Sequence, residues 1–407
     1  MADTIKVGQQ LKPVEPSGRF SLRLKLGDDD VSVNPTTLKE LIVVQDLEKF
    51  SPMFTLSITD TTGDLIHTIP FDRGMSKVSI ELADDYASEN RNSWDFMTYR
   101  RKPISDQSQP YGIYTANGLL DVDNIHSPSY CRAFNQNVLT SLGTLAEEMG
   151  VILEGGASID IEKNLIQASW SNLQFLNYLA SNFEGVQRGA GYQTFLKRLN
   201  NKTYLVFKNL EELMKDTIKY KFILRDTAYE DLYPIFEYSM LDNYKVHTVF
   251  SAKTQRYGYF NYDTSTYVEA SHALEDFYSL TDFFLVDKED NNDSNISDTT
   301  GRTNDFTNDF DGQVRGSYHT RLNNLVKLWI TTKGMPNICP GDTVGIFFPQ
   351  GIIGDKMYSY QYSGFWLVQR VVHNVSDIFL TKLLLTRTGI DTDVSNTLIA
   401  ATKKKMD

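Results

Sequence analysis

GMPNICPGDTV, residues 334–344, leads into an apolar run, and after one more turn the chain continues GFWLVQRVVH, residues 364–373. Pro340-Gly341 has type II turn chemistry: proline fixes φ at the first central position and glycine accepts φ > 0 at the second. The second stretch reads as a strand. A last strand follows, with Thr381, Leu383, Leu385 and Arg387 on one side. On physical grounds alone these are three strands of a barrel.

The same texture occurs far upstream. Phe20, Leu22, Leu24 and Leu26 alternate with polar residues, as do Phe54, Leu56 and Ile58, and then Val78, Ile80 and Leu82. A period of two marks strands with one face on a core. Gly27-Asp28-Asp29-Asp30, Thr62-Gly63-Asp64 and Asp72-Arg73-Gly74 are turn clusters between them. Tyr111–Val122 closes the region, and several short strands in about a hundred residues suggest a small antiparallel barrel or sandwich. Residues 1–18, broken by Pro13, Pro16 and Gly18, read as a flexible arm.

Between the two β regions the period changes. Val138, Leu142, Leu145 and Met149 recur at helical spacing, with Gly150 as the stop. A second helix is expected over about 171–183, with Leu173, Leu176, Ala180 and Phe183 as its stripe, Ser169 or Ser171 as cap, and Gly185 past its end. Tyr192–Leu199 and Thr203–Lys208 read as a hairpin around Asn200-Asn201-Lys202. The expected fold class is therefore α+β, mainly β. It comprises a first β-barrel domain (19–125), an α+β middle domain (126–235) and a second β-barrel domain (236–389). Strands of the last are expected at Val246–Ala252, Leu325–Thr331, Thr343–Phe348, Gly364–Val372 and Phe379–Thr386. The Asn/Asp-rich run 287–313 reads as an exposed, peripheral loop inserted in it, and 390–407 as a tail ending in Lys403-Lys404-Lys405.

Composition narrows the function. With 41% hydrophobic residues the 407-residue chain can bury real cores, and its 22 Tyr and 23 Phe suit β-surfaces and protein interfaces. A net charge of -12 opposes stable binding to nucleic-acid phosphates, though not a passage through which nucleic acid slides. Met1–Gln10 has no apolar core of a signal peptide, and no apolar run is long enough to span a bilayer. The chain is therefore expected to fold in a cytoplasm. Its two cysteines, Cys131 and Cys339, form no CxxC motif; two free buried thiols are expected, with a disulfide between them as the alternative.

The search for chemistry finds little. There is no GxxxxGK[ST], HExxH or GxSxG, and Gly185, Gly189 and Gly191 are misspaced for a dinucleotide turn. An EF-hand alignment through Asp309, Asp311 and Gly312 fails, with Thr307 first and Tyr318 where a glutamate is needed. His67, His126, His247, His272, His319 and His373 have no partner at metal-ligand spacing. His126 and Cys131 could pair only in space; a turn histidine before Pro128 and a buried cysteine explain them more simply. Glu147-Glu148 could be imagined in a glycosidase, but a solvated helix face accounts for them. No catalytic, cofactor-binding or metal-binding residue is expected.

The order G-x-P-x-I-x-P-G-D-x-V (from Gly334), G-x-W-x-V-x-x-V-x-H (from Gly364) and T-x-L-x-L-x-R (from Thr381) resembles the end of baseplate hub proteins of contractile bacteriophage tails. These are of the late-control-protein-D type, shared with the base of type VI secretion spikes. Ser171-x-x-x-Phe175-Leu176-x-x-Leu179-Ala180, with Glu184-Gly185 after it, is similar to that family's helix. The resemblance covers nearly the whole chain. It implies two tube-like barrels per chain and three chains in a pseudo-hexameric ring that joins a sixfold tail tube to a threefold central spike and lets DNA pass. The implied partners are further copies of the chain, the tail tube or its initiator, the spike and neighbouring wedge proteins, all in the virion baseplate, with no membrane insertion. The Asn/Asp-rich insertion and the lack of an appended lysozyme or needle repeat depart from the family's pattern. The alternatives are the hub of a phage-like injection system and, in another class, a cell-wall glycoside hydrolase.

Overall fold

The computed structural model describes residues 21–26, 29–31, 38–60, 77–84, 90–104, 112–126, 128–183, 191–215, 217–224, 232–241, 254–261, 266–273, 326–350, 357–358 and 363–387. The expected arm (1–18), the strand at 246–252, the loop 287–313 and the tail 390–407 lie outside them.

The first β region supplies β1 (Ser21–Leu26), β2 (Asp29–Val31), β3 (Leu38–Asp46), β4 (Met53–Asp60), β5 (Lys77–Ala83), β6 (Arg91–Ile104) and β7 (Gly112–Leu120). Mixed elements follow: β8 (Tyr130–Asn137), α1 (Val138–Glu148), β9 (Ile152–Gly155), β10 (Glu162–Trp170), α2 (Asn172–Asn182), β11 (Tyr192–Leu199), β12 (Lys202–Asn209) and α3 (Leu210–Lys215). The remainder is again β: β13 (Tyr220–Ile223), β14 (Tyr233–Pro234), β15 (Glu237–Leu241), β16 (Thr254–Asn261), β17 (Thr266–Ala273), β18 (Val326–Lys333), β19 (Thr343–Phe347), β20 (Pro349–Gln350), β21 (Met357–Tyr358), β22 (Gly364–Val375) and β23 (Phe379–Arg387). The fold is α+β and mainly β, as the sequence periods require.

The two β regions share one sheet. Its ladder runs β14-β13-β19-β22-β3-β4-β7-β6-β5-β1-β2, and β23, β18 and β15 continue it from the other edge of β22. The twelve-residue β22 is the branch point: Thr343–Ile346 of β19 pair with its first residues, and Leu41–Asp46 of β3 pair with Arg370–Val375. Among the described residues the ladder is open and no barrel closes. The sheet nevertheless curls strongly. Trp94 of β6 lies 5.6 Å from His373 of β22, ring centre to ring centre. Four ladder steps separate those strands, roughly 19 Å if the sheet were flat. Leu41, Val43, Phe54, Leu56, Ile58, Val78, Ile80, Leu82, Trp94 and Phe96 fill the curl and are almost inaccessible.

The helices sit on small sheets. In α1, Val138, Leu142, Leu145 and Met149 are buried as their spacing predicts, and the helix ends in a Schellman motif. The Gly150 N–H donates to the Glu147 carbonyl and the Val151 N–H to the Ala146 carbonyl. In α2 Ser171 caps and completes a capping box with Gln174. The buried face of α2 keeps Leu176 and Phe183 of the expected stripe but not its other two residues. Phe175, Leu176 and Leu179 are buried, whereas Leu173 and Ala180 are only partly covered. The stacking of Phe134 on Phe175, 5.8 Å between ring centres, sets that rotation. Asn200 and Asn201, at φ 49° and 62°, make the two-residue turn between β11 and β12.

Candidate functional site

The PGD turn forms as its residues require. Gly341 has φ +83°, the Asp342 N–H reaches the Cys339 carbonyl at 3.3 Å, and a Cβ on Gly341 would lie 3.1 Å from Phe195. The buried Asp342 carboxylate accepts the Cys339 N–H at 3.0 Å and the Lys219 ammonium at 2.5 Å. Burial by itself lowers the Lys219 pKa, but the adjoining carboxylate outweighs it and the pKa is raised. Burial also raises the Asp342 carboxyl, so the pair fixes geometry more than it adds net stability. Thr343 Oγ1 donates to the Leu213 carbonyl, which ties the turn to α3. Gly334 opens the motif because a Cβ there would sit 2.2 Å from Phe379.

A buried polar joint surrounds this turn and ties three parts of the chain together. Asn92 of β6 donates through Nδ2 to the carbonyls of Arg198 (2.7 Å) and Pro336 (3.1 Å); its Oδ1 accepts the Asn201 N–H at 3.1 Å. Arg198 of β11 donates from Nε to the Ser93 carbonyl at 2.7 Å, and its own N–H donates to Gln45 Oε1 at 3.0 Å. Asn337 bonds Asn90 through its side-chain amide at 2.6 Å, and the Cys339 thiol points at the Arg198 carbonyl at 3.4 Å. On the next strand pair, Arg370 Nε and Nη2 both reach Asp46 Oδ2 at 2.7 Å, across the seam between β22 and β3. The sequence reading missed Asn92, Arg198 and Asp46. A polar residue on the inward side of an alternating strand, as Asn92 is before Trp94 and Phe96, was the available signal.

Among the residues considered for chemistry, Cys339 is buried, and burial pushes its thiol far up, away from nucleophilic use. Cys131, expected to be buried, is exposed on β8, because it lies on the outer side of that strand. Both cysteines are free. His126 is exposed in the turn before Pro128. Glu147 is solvated as expected. Glu148 is only partly so: Arg132 grips it with two bonds of 2.5 and 2.8 Å. That hydrogen bonding is the main cause of its lowered pKa, with burial opposing. Arg132 also donates to Gln167 and lies 4.3 Å over the Tyr130 ring, so Glu148 is committed to holding β8 and β10 on the helices. His373 is buried between Trp94 and Phe379, and burial depresses its pKa to about 3. Asp309, Asp311 and Gly312 lie outside the described residues. Among the described residues, no cluster of His, Cys, Asp or Glu has the makings of a metal site, and no helix is long and apolar enough to cross a membrane. What the arrangement does is mechanical: it locks the two β regions and the middle elements in one orientation.

Solved structures share this architecture. A 43 kDa tail protein of prophage MuSo2 from Shewanella oneidensis superimposes with a TM-score of 0.57 over 91% of this chain and 98% of that chain, at 13% identity. A tail protein from Neisseria meningitidis superimposes with a TM-score of 0.54 over 93% and 99%, at 10% identity. The chain has the fold of phage tail proteins. An E. coli component of the type VI secretion system covers 89% of this chain with 76% of its own, but at a TM-score of 0.46 that likeness carries no weight. No protein-family model and no curated protein sequence matches the chain. The resemblance in the three C-terminal motifs thus meets the fold found in three dimensions, at identities where fold is all that is shared.

Proposed function

We propose that the chain is a structural, non-catalytic hub subunit of a contractile-tail baseplate. In this reading three copies form a ring that joins the sixfold tail tube to the threefold central spike. Each chain contributes two tube-like β units, so three chains present six. The observation that carries the reading is coverage: a phage tail protein of known structure matches 91% of this chain using 98% of itself, so the likeness in fold extends over most of both chains.

Two physical features support it. The buried joint suits a part that must transmit load without flexing, because its hydrogen bonds cross between sequence-distant strands. The charge of -12 per chain lets a ring wall repel DNA phosphates, so that genome passes through a lumen lined by polar and acidic groups without adhering. The proposed partners are copies of itself, the tube or its initiator, the spike and adjacent wedge proteins, and the place is the virion baseplate. The test is genetic and quantitative. Removing the chain should leave particles with no tube attached to a baseplate, and quantitative mass spectrometry of intact tails should find three copies for each spike trimer. Complete, infectious tails lacking the chain would refute the proposal.

A further inference from the structure

His373 stands at the contact that closes the curl of the sheet. Its ring meets Trp94 of β6 at 5.6 Å and Phe379 of β23 at 5.8 Å. The register sets Val43 of β3 and Thr381 of β23 directly beside it. All five residues are buried. No charged group acts on the imidazole from any of these strands; burial alone depresses its pKa. Nδ1 lies 3.4 Å from the Thr381 hydroxyl, which accepts the Met335 N–H at 2.9 Å. Nε2 has no hydrogen-bond partner among the described residues, and neither has the Trp94 indole N–H. An imidazolium donates from both ring nitrogens. In the closed structure it would leave one donor without an acceptor and its charge without a carboxylate to balance it.

The neighbours of this ring are held in two ways. Val43 and Thr381 are ladder neighbours, fixed through main-chain pairing. Trp94 is not: four ladder steps part β6 from β22, so side-chain packing brings the indole there. That packing is continuous with the buried joint. Met335, which bonds Thr381, precedes Pro336, and the Pro336 carbonyl accepts Asn92 Nδ2, two residues before Trp94. We propose that the Trp94–His373 contact is a proton-operated latch. His373 takes up a proton only by parting from Trp94, and the parting draws Asn92 off Pro336. Acid thereby loosens β6 from the last β region, while the seam between β22 and β3 stays paired over six residue pairs and through Arg370 and Asp46. The sign follows from linkage: the open form binds the proton and the closed form does not. The latch is therefore tight above the ordinary histidine range and loosens as pH falls. Between pH 7 and pH 5 Glu148 and Glu154, both held low, stay ionised. Asp342, held high by burial, is separated from the effect by a His373 variant.

The Trp94 indole N–H reports the latch directly, because it is buried and reaches water only when the contact parts. Hydrogen exchange of the indole N–H groups is followed by NMR on the full chain at pH 7, 6 and 5, each rate corrected for that of free tryptophan. One proton taken up on opening should quicken the corrected Trp94 exchange about 25-fold from pH 7 to pH 5. The Asn201 N–H, which donates to Asn92 Oδ1, should quicken with it. The indole of Trp366, equally buried in the last β region, and the amides of the β3–β22 seam should change less than about threefold. His373→Phe should remove the pH dependence at Trp94. If that variant does not fold, the comparison of Trp94 with Trp366 inside the wild-type chain decides. Equal quickening at both indoles would mean that the whole chain loosens, and would overturn the latch. So would a corrected Trp94 rate that does not change with pH, or a quickening that survives in His373→Phe.

Discussion

At the residue scale, the account turns on polar groups placed where apolar ones would pack more simply. Asn92 satisfies two carbonyls and one backbone N–H of other segments from inside the core, so Asn92→Ala leaves several groups unpaired. A loss of about 3 kcal/mol in urea unfolding is expected, and a loss within error would mean the joint is not structural. His373 gives a pH signature. Its folded pKa is depressed to about 3, so between about 6.5 and that value the unfolded chain takes up a proton that the folded chain does not. Stability from this group is complete above about 6.5 and falls as pH drops, by up to about 1.4 kcal/mol per unit. Below the ordinary glutamate range Glu148 and Glu154, both lowered, add losses of the same sign. The difference between wild type and His373→Phe over pH 6.5 to 4.5 should isolate the histidine; parallel curves would contradict its buried, neutral state. The sequence flagged His373 as part of a strand motif, but its burial depends on Trp94, 279 positions away in the chain, and no local pattern carries that.

At the element scale, what was legible is what depends on neighbours in sequence. The stripe of α1, the PGD turn, the Asn200-Asn201 hairpin and strands β18, β19, β22 and β23 all follow from period and turn chemistry. Among the strands that were missed, β3, β8 and β10 carry polar residues such as Gln45, Arg132 and Gln167 on their inner faces, which blurs the alternation. The face of α2 was misread in part, because Phe175 outweighs Leu173 once Phe134 stacks on it. The start of α2 provides a test of local capping. Ser171→Ala removes the side-chain acceptor of the Gln174 N–H and should cost about 1 kcal/mol in thermal or urea unfolding. A change below a few tenths would show that β8 and β10, not the cap, hold this helix in place.

At the scale of the whole molecule, the decisive feature is that β3 from the first region and β22 from the last are hydrogen-bonded neighbours over six residue pairs. Each region leaves an unpaired edge and half of a core without the other. A fragment of residues 1–125 should therefore lack cooperative unfolding, and adding residues 326–389 in trans should not rescue it without the joint supplied by 191–215. A fragment with a sharp transition of its own would show two independent units. This long-range pairing was not legible in sequence, since the two β regions read alike and nothing local says that they meet. In the proposed hub, the same continuity would hold the two β regions at a fixed angle. The most direct test of the hub account is a reconstruction of the assembled particle at this chain. The account predicts three copies related by a threefold axis, seated between a sixfold tube and the spike around a passage lined by polar and acidic groups. Any other symmetry at this chain, or a passage lined by lysine and arginine, would contradict it.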